Sequence, residues 1–489
     1  LYGQNVAASG EDNAVDFLYG DFGTSRSEIG SGRDRLYGQG GNDRLWGEGN
    51  DDFIDAGSGT SNLADYGSGE GVTPSDFIPP TPTPNPAVQP GTAISHAVVK
   101  LPDGIDTRGR WSELAGSGSG DGVSQSSAAG IEPSLAVDAA GTRYSAWADS
   151  RRGNFEIYVT KHVPGIGWQE LPAISGHSAS EGGVSNTAGS SRRPSLAIDT
   201  DGNPIVSWTE YTDIASDIRA AKFDPSAAGG LGAWTALGTS LTPGGISGTG
   251  QADSAVVLMT TGGPTVAWLD TSGGIANIFV KRFSGGTWSG LGGAAFASGT
   301  GVSQSSISVS DLAAATDGTK VSVTWTQPTS SGSEIYLREF AGTTWNELAD
   351  SASDGGVSSL GGINRTPTVA YHTGQIFVAW QGDDQARPEI YARHFNGADW
   401  QIIGGGSGQA VSPALGIASQ PQLASRGGKL HLLWADDTLG SEASPSVSLF
   451  STTWSGSAFA PELASDIRGP VVAMAQNLDS LRLVVDASG

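Results

Sequence analysis

The chain has 489 residues, a formal net charge of −24, 73 glycines and no cysteine. The length suits two or more domains. The charge opposes a nucleic-acid surface and makes divalent cations the natural counter-charge, and the missing thiols exclude disulfides and thiolate metal sites. No run of about 18 apolar residues is present, so no membrane span is expected. The chain opens at Leu1 without a signal-peptide pattern, as a mature product or a fragment would. Runs such as GTRYSAWAD and GQIFVAWQG alternate in the manner of strands, and the expected class is all-β.

Residues 1–72 carry a period of nine. Residues 29–37 read IGSGRDRLY, 38–46 GQGGNDRLW and 47–55 GEGNDDFID, each with Asp at the sixth place and Leu or Ile at the eighth. The register reaches back to Asp16 and Leu18. It skips a beat at 20–28, where Ser25 stands in the Asp place. The small polar residues of each frame make a turn, and the residues around its apolar centre make a short strand. Stacked turns place Leu18, Leu36, Leu45 and Ile54 in an inner ladder and line up the aspartates along the edges. Hard oxygen ligands at that spacing suit Ca²⁺, which takes about six to eight oxygens, and glycine lets backbone carbonyls turn inward.

This pattern resembles the RTX, or hemolysin-type, calcium-binding repeat G-G-x-G-x-D-x-U-x, most closely over 38–55. The resemblance implies a parallel β-roll with Ca²⁺ as its cofactor. Its calcium set is expected to include Asp16, Asp34, Asp43 and Asp52 with Gly32, Gly41, Asn42 and Asn50. An ion in that family sits between frame n and frame n+2. Asp16 would then share a site with Asp34, and Asp34 with Asp52, while Asp43 faces frames in which Ser25 and Ser61 replace Asp. A phosphate loop is excluded, because the only Gly-Lys pair, Gly428–Lys429, is followed by Leu430.

Residues 74–90 read PSDFIPPTPTPNPAVQP. Proline at this density stiffens a chain into an extended form, so 73–92 is expected to be a linker that holds two domains apart.

Over 93–489 a longer repeat takes over, marked by tryptophan. Trp147, Trp208, Trp268, Trp325, Trp380 and Trp434 each end an alternating strand. Trp111, Trp168, Trp234, Trp288, Trp345, Trp400 and Trp454 each precede a short apolar segment. One unit, RPSLAIDTDGNPIVSWTEYTDIASDIRAAKF at 193–223 with WTAL at 234–237, reads as four antiparallel strands, the plan of a propeller blade. The turns between the first two strands hold Gly141, Gly202, Gly263, Gly318 and Gly374, as positive φ requires. Full units run from about 132 to 463. Residues 469–487 fit the first two strands of a further unit, with Val485 in the Trp place, and 97–114 fit the last two. The expected fold is a seven-bladed β-propeller whose ring-closing blade is made from both chain ends, which leaves no open sheet edge. The strand-ending tryptophans are expected between adjacent sheets.

The D-x-x-G turn before an alternating strand and Trp, as in Asp138–Gly141 and Asp199–Gly202, resembles the sialidase-like, or BNR/Asp-box, propellers in general plan. The spacing departs from that family's S-x-D-x-G-x-T-W. Its arginine-bearing R-x-P segment has counterparts in Arg192-Arg193-Pro194 and Arg365-Thr366-Pro367. Glu132-Pro133 and Gln420-Pro421 stand at the same place in other units, so the feature reads as architectural. The six histidines show no zinc spacing, and no G-x-S-x-G elbow precedes a helix.

What recurs is a loop before the first strand: DGVSQSS at 121–127, GGVSNTAG at 182–189, GGISGTG at 244–250, TGVSQSS at 300–306 and GGVSSLGG at 355–362. These loops are expected to share a face with the loops after the Trp strand. The latter carry Asp149, Glu210, Asp213, Asp270, Asp383, Asp384, Asp436 and Asp437. Such a face suits glycans or further cations. Every notable residue belongs to a repeat, whereas an active site must break symmetry. The favoured function is therefore a secreted, non-catalytic surface, adhesive or matrix protein whose propeller recognises glycans or cell-surface proteins, or assembles. One alternative is a glycoside hydrolase or lyase with its site at the propeller mouth, which a cluster of Arg, Glu and Tyr from one blade would favour. Another is a filament subunit in which 97–114 closes a neighbour's ring.

Overall fold

A computed structural model describes the strands at 17–19, 35–37, 44–46, 53–55 and 63–65. It then describes 114–115, 117, 122–172, 178–383, 387–404, 410–412, 416–437, 447–460, 472–474 and 481–485. These residues are all-β apart from short helical turns at Ala227–Gly230 and Ala294–Ala297. No helix among them is long and apolar enough to cross a membrane. The chain divides into two units, one with the short strands and one with every strand from Gly130 onward.

In the first unit the nonapeptide period becomes parallel pairing. Arg35–Tyr37 pairs with Phe53–Asp55, so Leu36 opposes Ile54. Arg44–Trp46 pairs with Leu63–Asp65 and, on its other side, with Phe17–Tyr19, so Leu45 opposes Leu18. Alternate frames thus share a sheet, as a roll requires. The strand after Asp16 differs from expectation. It pairs with the strand after Asp43 instead of the strand after Asp34. The frame with Ser25 in the Asp place lacks the carboxylate that would make it a calcium turn of its own. The expected ligands Asp16, Asp34, Asp43, Asp52, Gly32, Gly41, Asn42 and Asn50 lie outside the described residues, as does the linker.

The second unit is a propeller-like array of antiparallel meanders. Three are separate four-stranded sheets, spanning Gly130 to Gln169, Ser190 to Ala236 and Ala252 to Gly290. Two more, Ser310 to Asn346 and Gly362 to Ile403, form one eight-stranded sheet, and the last, Ala418 to Ala460, gains Val472–Met474 as a fifth strand. Among the described residues this makes five sheets, where the tryptophan repeat predicts seven separate blades. Two causes are visible. Gly332 and Gly362 approach so closely that the chains pair in parallel; a Cβ on Gly332 would lie 1.8 Å from the Gly362 carbonyl oxygen. Val472–Met474, expected to start a closing blade, pairs instead with Val447, Ser448 and Leu449 of the preceding meander. Residues 97–113, expected to complete that blade, lie outside the described residues.

The strand-ending tryptophans are core. Trp147, Trp208, Trp268, Trp325, Trp380 and Trp434 are all buried. Several stack on the aromatic residue of the neighbouring third strand: Trp147 on Tyr158, Trp325 on Tyr336, Trp380 on Tyr391 and Trp434 on Phe450, with centroids 5.7–6.1 Å apart. An indole that buries ~200 Å² contributes roughly 5 kcal/mol before entropy. The expected turn glycines do take positive φ, from 81° at Gly374 to 117° at Gly263.

Candidate functional site

The recurring G-[VI]-S loops close onto the third strand of the meander they follow. Val184, Ile246, Val302, Val357 and Val411 donate their N–H to the carbonyls of Ile157, Ile218, Ile278, Ile335 and Ile390, each at 2.7 Å. The next residue, Ser185, Ser247, Ser303, Ser358 or Ser412, accepts the N–H of that same isoleucine on its Oγ at 2.8–3.0 Å. The residue before the clip is glycine in four of these five loops and Ala410 in the fifth. At Gly183, Gly245, Gly301 and Gly356, all at positive φ, a Cβ would stand 2.1–2.4 Å from the isoleucine carbonyl oxygen. These loops are structural clips, and their serines are already in use.

The carboxylates after the tryptophans have a similar fate. Asp149, Glu210, Asp270 and Asp436 are buried. Trp147, Trp208 and Trp268 donate Nε1 to Asp149, Glu210 and Asp270 at 3.0–3.2 Å. The hydroxyls of Ser126, Thr187 and Thr249, from the loop before the first strand, donate to the same three carboxylates at 2.5–3.3 Å. Gln327 and Asn364 take the indole of Trp325 and Trp380 in the same way. Burial works to raise the Asp149 carboxyl, but hydrogen bonds and charge from Arg151 hold it below the usual carboxylate range. Asp383 and Asp437 accept the N–H of Ile363 and Ile417 at 2.6 and 2.5 Å. Asp213 is exposed on the turn after Tyr211, and Asp384 lies outside the described residues. The expected ligand residues are therefore not gathered into one open site. Most of them bind the protein itself, because a buried Trp N–H needs an acceptor.

A different place gathers polar groups. The first strands of the meanders line a central cavity of about 710 Å³. Each of these strands carries a bulge, located between Ile131/Ser134, Arg192/Ser195, Asp253/Val256, Ser310/Ala313, Arg365/Thr368 and Ser419/Gln422. The bulges put Glu132, Arg193, Ser254, Asp311, Thr366 and Gln420 at φ between 49° and 57°, and all of these residues line the cavity. Glycine takes that conformation freely, whereas another residue there costs about 1 kcal/mol or more. A ring of polar residues held at that cost is in use. Two uses are visible: Glu132 Oε2 accepts the Arg193 N–H at 2.7 Å, and Asp311 Oδ2 accepts the Thr366 N–H at 3.3 Å.

The symmetry of the ring fails at one point. Arg192 Nη2 pairs with Glu132 Oε1 at 2.7 Å, and Arg193 Nη1 pairs with Asp253 Oδ2 at 2.6 Å. Tyr211 OH donates to Asp253 Oδ1 at 2.6 Å. Tyr211 follows its strand-ending tryptophan by three residues, and that place holds Ser150, Thr271, Pro328, Asp383 or Asp437 in the other meanders. Burial, and then the bond to Asp253, push the Tyr211 phenol well above its usual range, so it stays a neutral donor. Arg482 also lines the cavity and donates to its own Leu481 carbonyl at 2.7 Å. Arg365, at the place of Arg192, donates to Gln381 Oε1 at 2.9 Å. Among the described residues, neither Arg365 nor Arg482 has a carboxylate within ion-pair range.

The R-x-P segments were legible as a repeated feature, and the repeated part is the bulge. Tyr211, Asp253 and Arg482 were missed. For Tyr211 the available signal was departure from the repeat, since the other units hold Ser150, Thr271, Pro328, Asp383 or Asp437 at its place.

Residues 28–63 match the family model of the RTX calcium-binding nonapeptide repeat, in four copies. The N-terminal segment carries RTX calcium-binding repeats. No curated protein matches the chain. Among solved structures, YjhT is similar at 13% identity and a TM-score of 0.37, over 67% of this chain and 96% of its own. Trypanosoma rangeli sialidase in complex with the inhibitor DANA is similar at 12% identity and a TM-score of 0.39, over 68% of this chain and 55% of its own. The GH93 α-L-arabinofuranosidase of Fusarium graminearum in complex with arabinobiose is similar at 11% identity and a TM-score of 0.37, over 63% of this chain and 88% of its own.

Proposed function

We propose that the protein is a secreted, calcium-binding recognition protein whose propeller holds an acidic saccharide in its central cavity. The observation that carries this reading is a linked cluster at one point of the wall: Glu132 and Arg193 line the cavity, and Arg192, Asp253 and Tyr211 are joined to them by ion pairs and a hydrogen bond. Planar guanidinium groups suit a carboxylate, and carboxylates and hydroxyls held on rigid strands suit sugar hydroxyls. Arg482 adds to the cavity wall a positive charge with no carboxylate among the described residues within ion-pair range, in a chain whose net charge is −24. That favours an acidic sugar over a neutral one. The RTX repeats support calcium and secretion. Asp34 and Asp52 precede strands that are paired neighbours, which supports a shared ion between them. The proline-rich 73–92 lies between the two parts in the sequence.

For the ring we infer seven units closed from both chain ends. Trp168 Nε1 donates to the Leu114 carbonyl at 3.2 Å, just as Trp288, Trp345 and Trp400 donate to Leu237, Leu291 and Leu348 of the preceding unit at 2.8 Å. Leu114 thus stands where the last strand of a preceding unit belongs. From the other end of the chain, Arg482 enters the cavity wall.

Calorimetric titration of the calcium-loaded full chain with glucuronate, galacturonate and N-acetylneuraminate tests the recognition reading. Binding that weakens about tenfold or more in Arg193→Ala and Arg482→Ala supports it. Failure of the wild type to bind any acidic sugar refutes it.

A second reading, hydrolysis, is favoured by the Tyr211–Asp253 couple. Arg192, Arg193 and Tyr211 come from one meander, and Glu132 and Asp253 from the meanders on either side. This comes close to the cluster that favours an enzyme. Product analysis after incubation with acidic oligosaccharides separates the two. Turnover that is lost in Tyr211→Phe and Asp253→Asn, with binding retained, would establish the enzyme.

A further inference from the structure

A second pocket, about 460 Å³, lies against the asymmetric point of the ring. Tyr211 and Asp253 form part of its wall, and Leu269 borders both this pocket and the central cavity. The two spaces share Leu269, and the adjacent residues Asp253 and Ser254 line one each. Both volumes fall in the range of small-ligand sites, roughly 300–1,000 Å³.

The chemistry of this pocket differs from that of the cavity. Ile214, Leu269 and Ala276 give it an apolar side, and Gln251 and Thr271 a polar one. Its wall includes no arginine or lysine. Ile214 is 96% exposed, at the tip of a turn that is held in place. Thr212 N donates to the Ala215 carbonyl at 2.8 Å, Ala215 N to Thr212 Oγ1 at 3.1 Å, and Ser216 N to the Gly250 carbonyl at 2.9 Å. An apolar side chain is thus presented to solvent by a turn with its own hydrogen bonds. Thr271 Oγ1 donates to Gln251 Oε1 at 3.2 Å, which orients the amide and leaves its Nε2 without a protein partner among the described residues.

We propose that this pocket is a second saccharide subsite for a neutral sugar joined to the acidic one. In it, Ile214 packs against the apolar face of the ring and Gln251 Nε2 donates to a hydroxyl. This rests on the reading that the cavity holds an acidic saccharide. A pyranose has an apolar face of C–H groups and an edge of hydroxyls, and this pocket offers one wall for each. The absence of a cationic wall residue argues against a second acidic unit. Ile214 is the residue that sets preference for the second sugar.

The test compares each acid, as its methyl glycoside, with the disaccharide in which the same acid is linked to galactose. Both are titrated into the calcium-loaded full chain. The disaccharide is expected to bind about tenfold tighter. Ile214→Asp brings the ratio close to one while the methyl glycoside binds as before, and Gln251→Ala reduces the ratio in part. Ile214 touches solvent on nearly every side, so its replacement does not threaten the fold. A wild-type ratio near one, or an Ile214→Asp variant that weakens both ligands equally, overturns the subsite and leaves the cavity reading standing. No binding of either ligand overturns the cavity reading and the subsite with it.

Discussion

Glu210 is the sharpest test of whether the buried carboxylates hold the fold or hold a ligand. Its side chain accepts Thr187 Oγ1 at 2.5 Å, Ser191 Oγ at 2.6 Å and Trp208 Nε1 at 3.2 Å. Trp208 and Ser191 are buried with it. A hydrogen bond to a charged group is worth about 1.5–3 kcal/mol net, and a buried donor left without a partner costs about 1–3 kcal/mol. The two hydroxyls can rotate toward other acceptors, but the indole N–H cannot. Glu210→Ala is therefore expected to cost roughly 3–5 kcal/mol, below the sum of three separate bonds. Glu210→Gln keeps one acceptor oxygen for the indole and turns its amide toward the Thr187 hydroxyl, which accepts. It loses only charge assistance, roughly 1–2 kcal/mol. In a unit of this size about 2 °C of melting temperature corresponds to each kcal/mol, so Ala is expected to lower the midpoint by roughly 6–10 °C and Gln by roughly 2–4 °C. Tryptophan fluorescence of the calcium-loaded full chain during heating reads both. An Ala variant that melts within about 1 °C of wild type refutes the clip, as does a Gln variant no better than Ala.

Four further outcomes are expected. Calcium removal by chelation should abolish the β signal of the 1–72 segment in far-ultraviolet circular dichroism, and calcium should restore it; an unchanged signal would sink the roll assignment. Gly245→Ala sets a Cβ 2.2 Å from the Ile218 carbonyl at φ +55°, and should cost about 2–4 kcal/mol in denaturant titration. Gly141→Ala, at φ +86° with nothing within 4 Å, should cost about 1 kcal/mol. The Asp149 carboxyl titrates below its ordinary range in the folded chain, so its stabilisation is present above the unfolded pKa and is lost as the pH falls through the folded one. Arg151→Met should be less stable than wild type near neutrality, and the gap should narrow in strong acid to what the lost bonds to the Ala179 and Ser124 carbonyls and the contact with Tyr158 leave; a gap that does not narrow would refute the charge contribution.

Periodicity made the scaffold legible. The nine-residue rhythm gave the parallel strand pairs, because an apolar residue kept in phase has to meet its equivalents. The tryptophan series gave the meanders, because a large side chain at a fixed strand place has to fill the gap between sheets. The turn glycines followed from the φ that a tight hairpin demands. The site was less legible for the same reason. Asp149, Glu210 and Asp270 look like a ring of ligand carboxylates in a sequence, but their hydrogen-bond partners are a tryptophan two residues back and a hydroxyl about twenty residues earlier. Only the folded loop brings that hydroxyl near. Sheet fusion at Gly332 and Gly362 depends on how closely two glycines approach, which no repeat alignment records.

The repeated part of each unit answers to the scaffold, so function has to be sought in what the repeat leaves free. The bulge shows how this works. Its backbone is the same in every first strand, and it turns one side chain into the cavity each time. The scaffold fixes the position and the direction but not the residue. The occupants accordingly run from Glu132 and Arg193 through Ser254 and Asp311 to Thr366 and Gln420. Glu132 serves both ends: Oε2 accepts the Arg193 N–H, which steadies the next bulge, and Oε1 pairs with Arg192, which belongs to the asymmetric cluster. Replacing Glu132 by Gln separates the two roles. The backbone bond can persist through the amide oxygen, while the ion pair to Arg192 cannot. Such a variant should keep most of its melting temperature and bind acidic sugars more tightly, because a negative charge leaves the cavity wall. A fall in melting temperature as large as that expected for Glu210→Ala, with affinity unchanged, would show instead that the cluster is one more part of the scaffold.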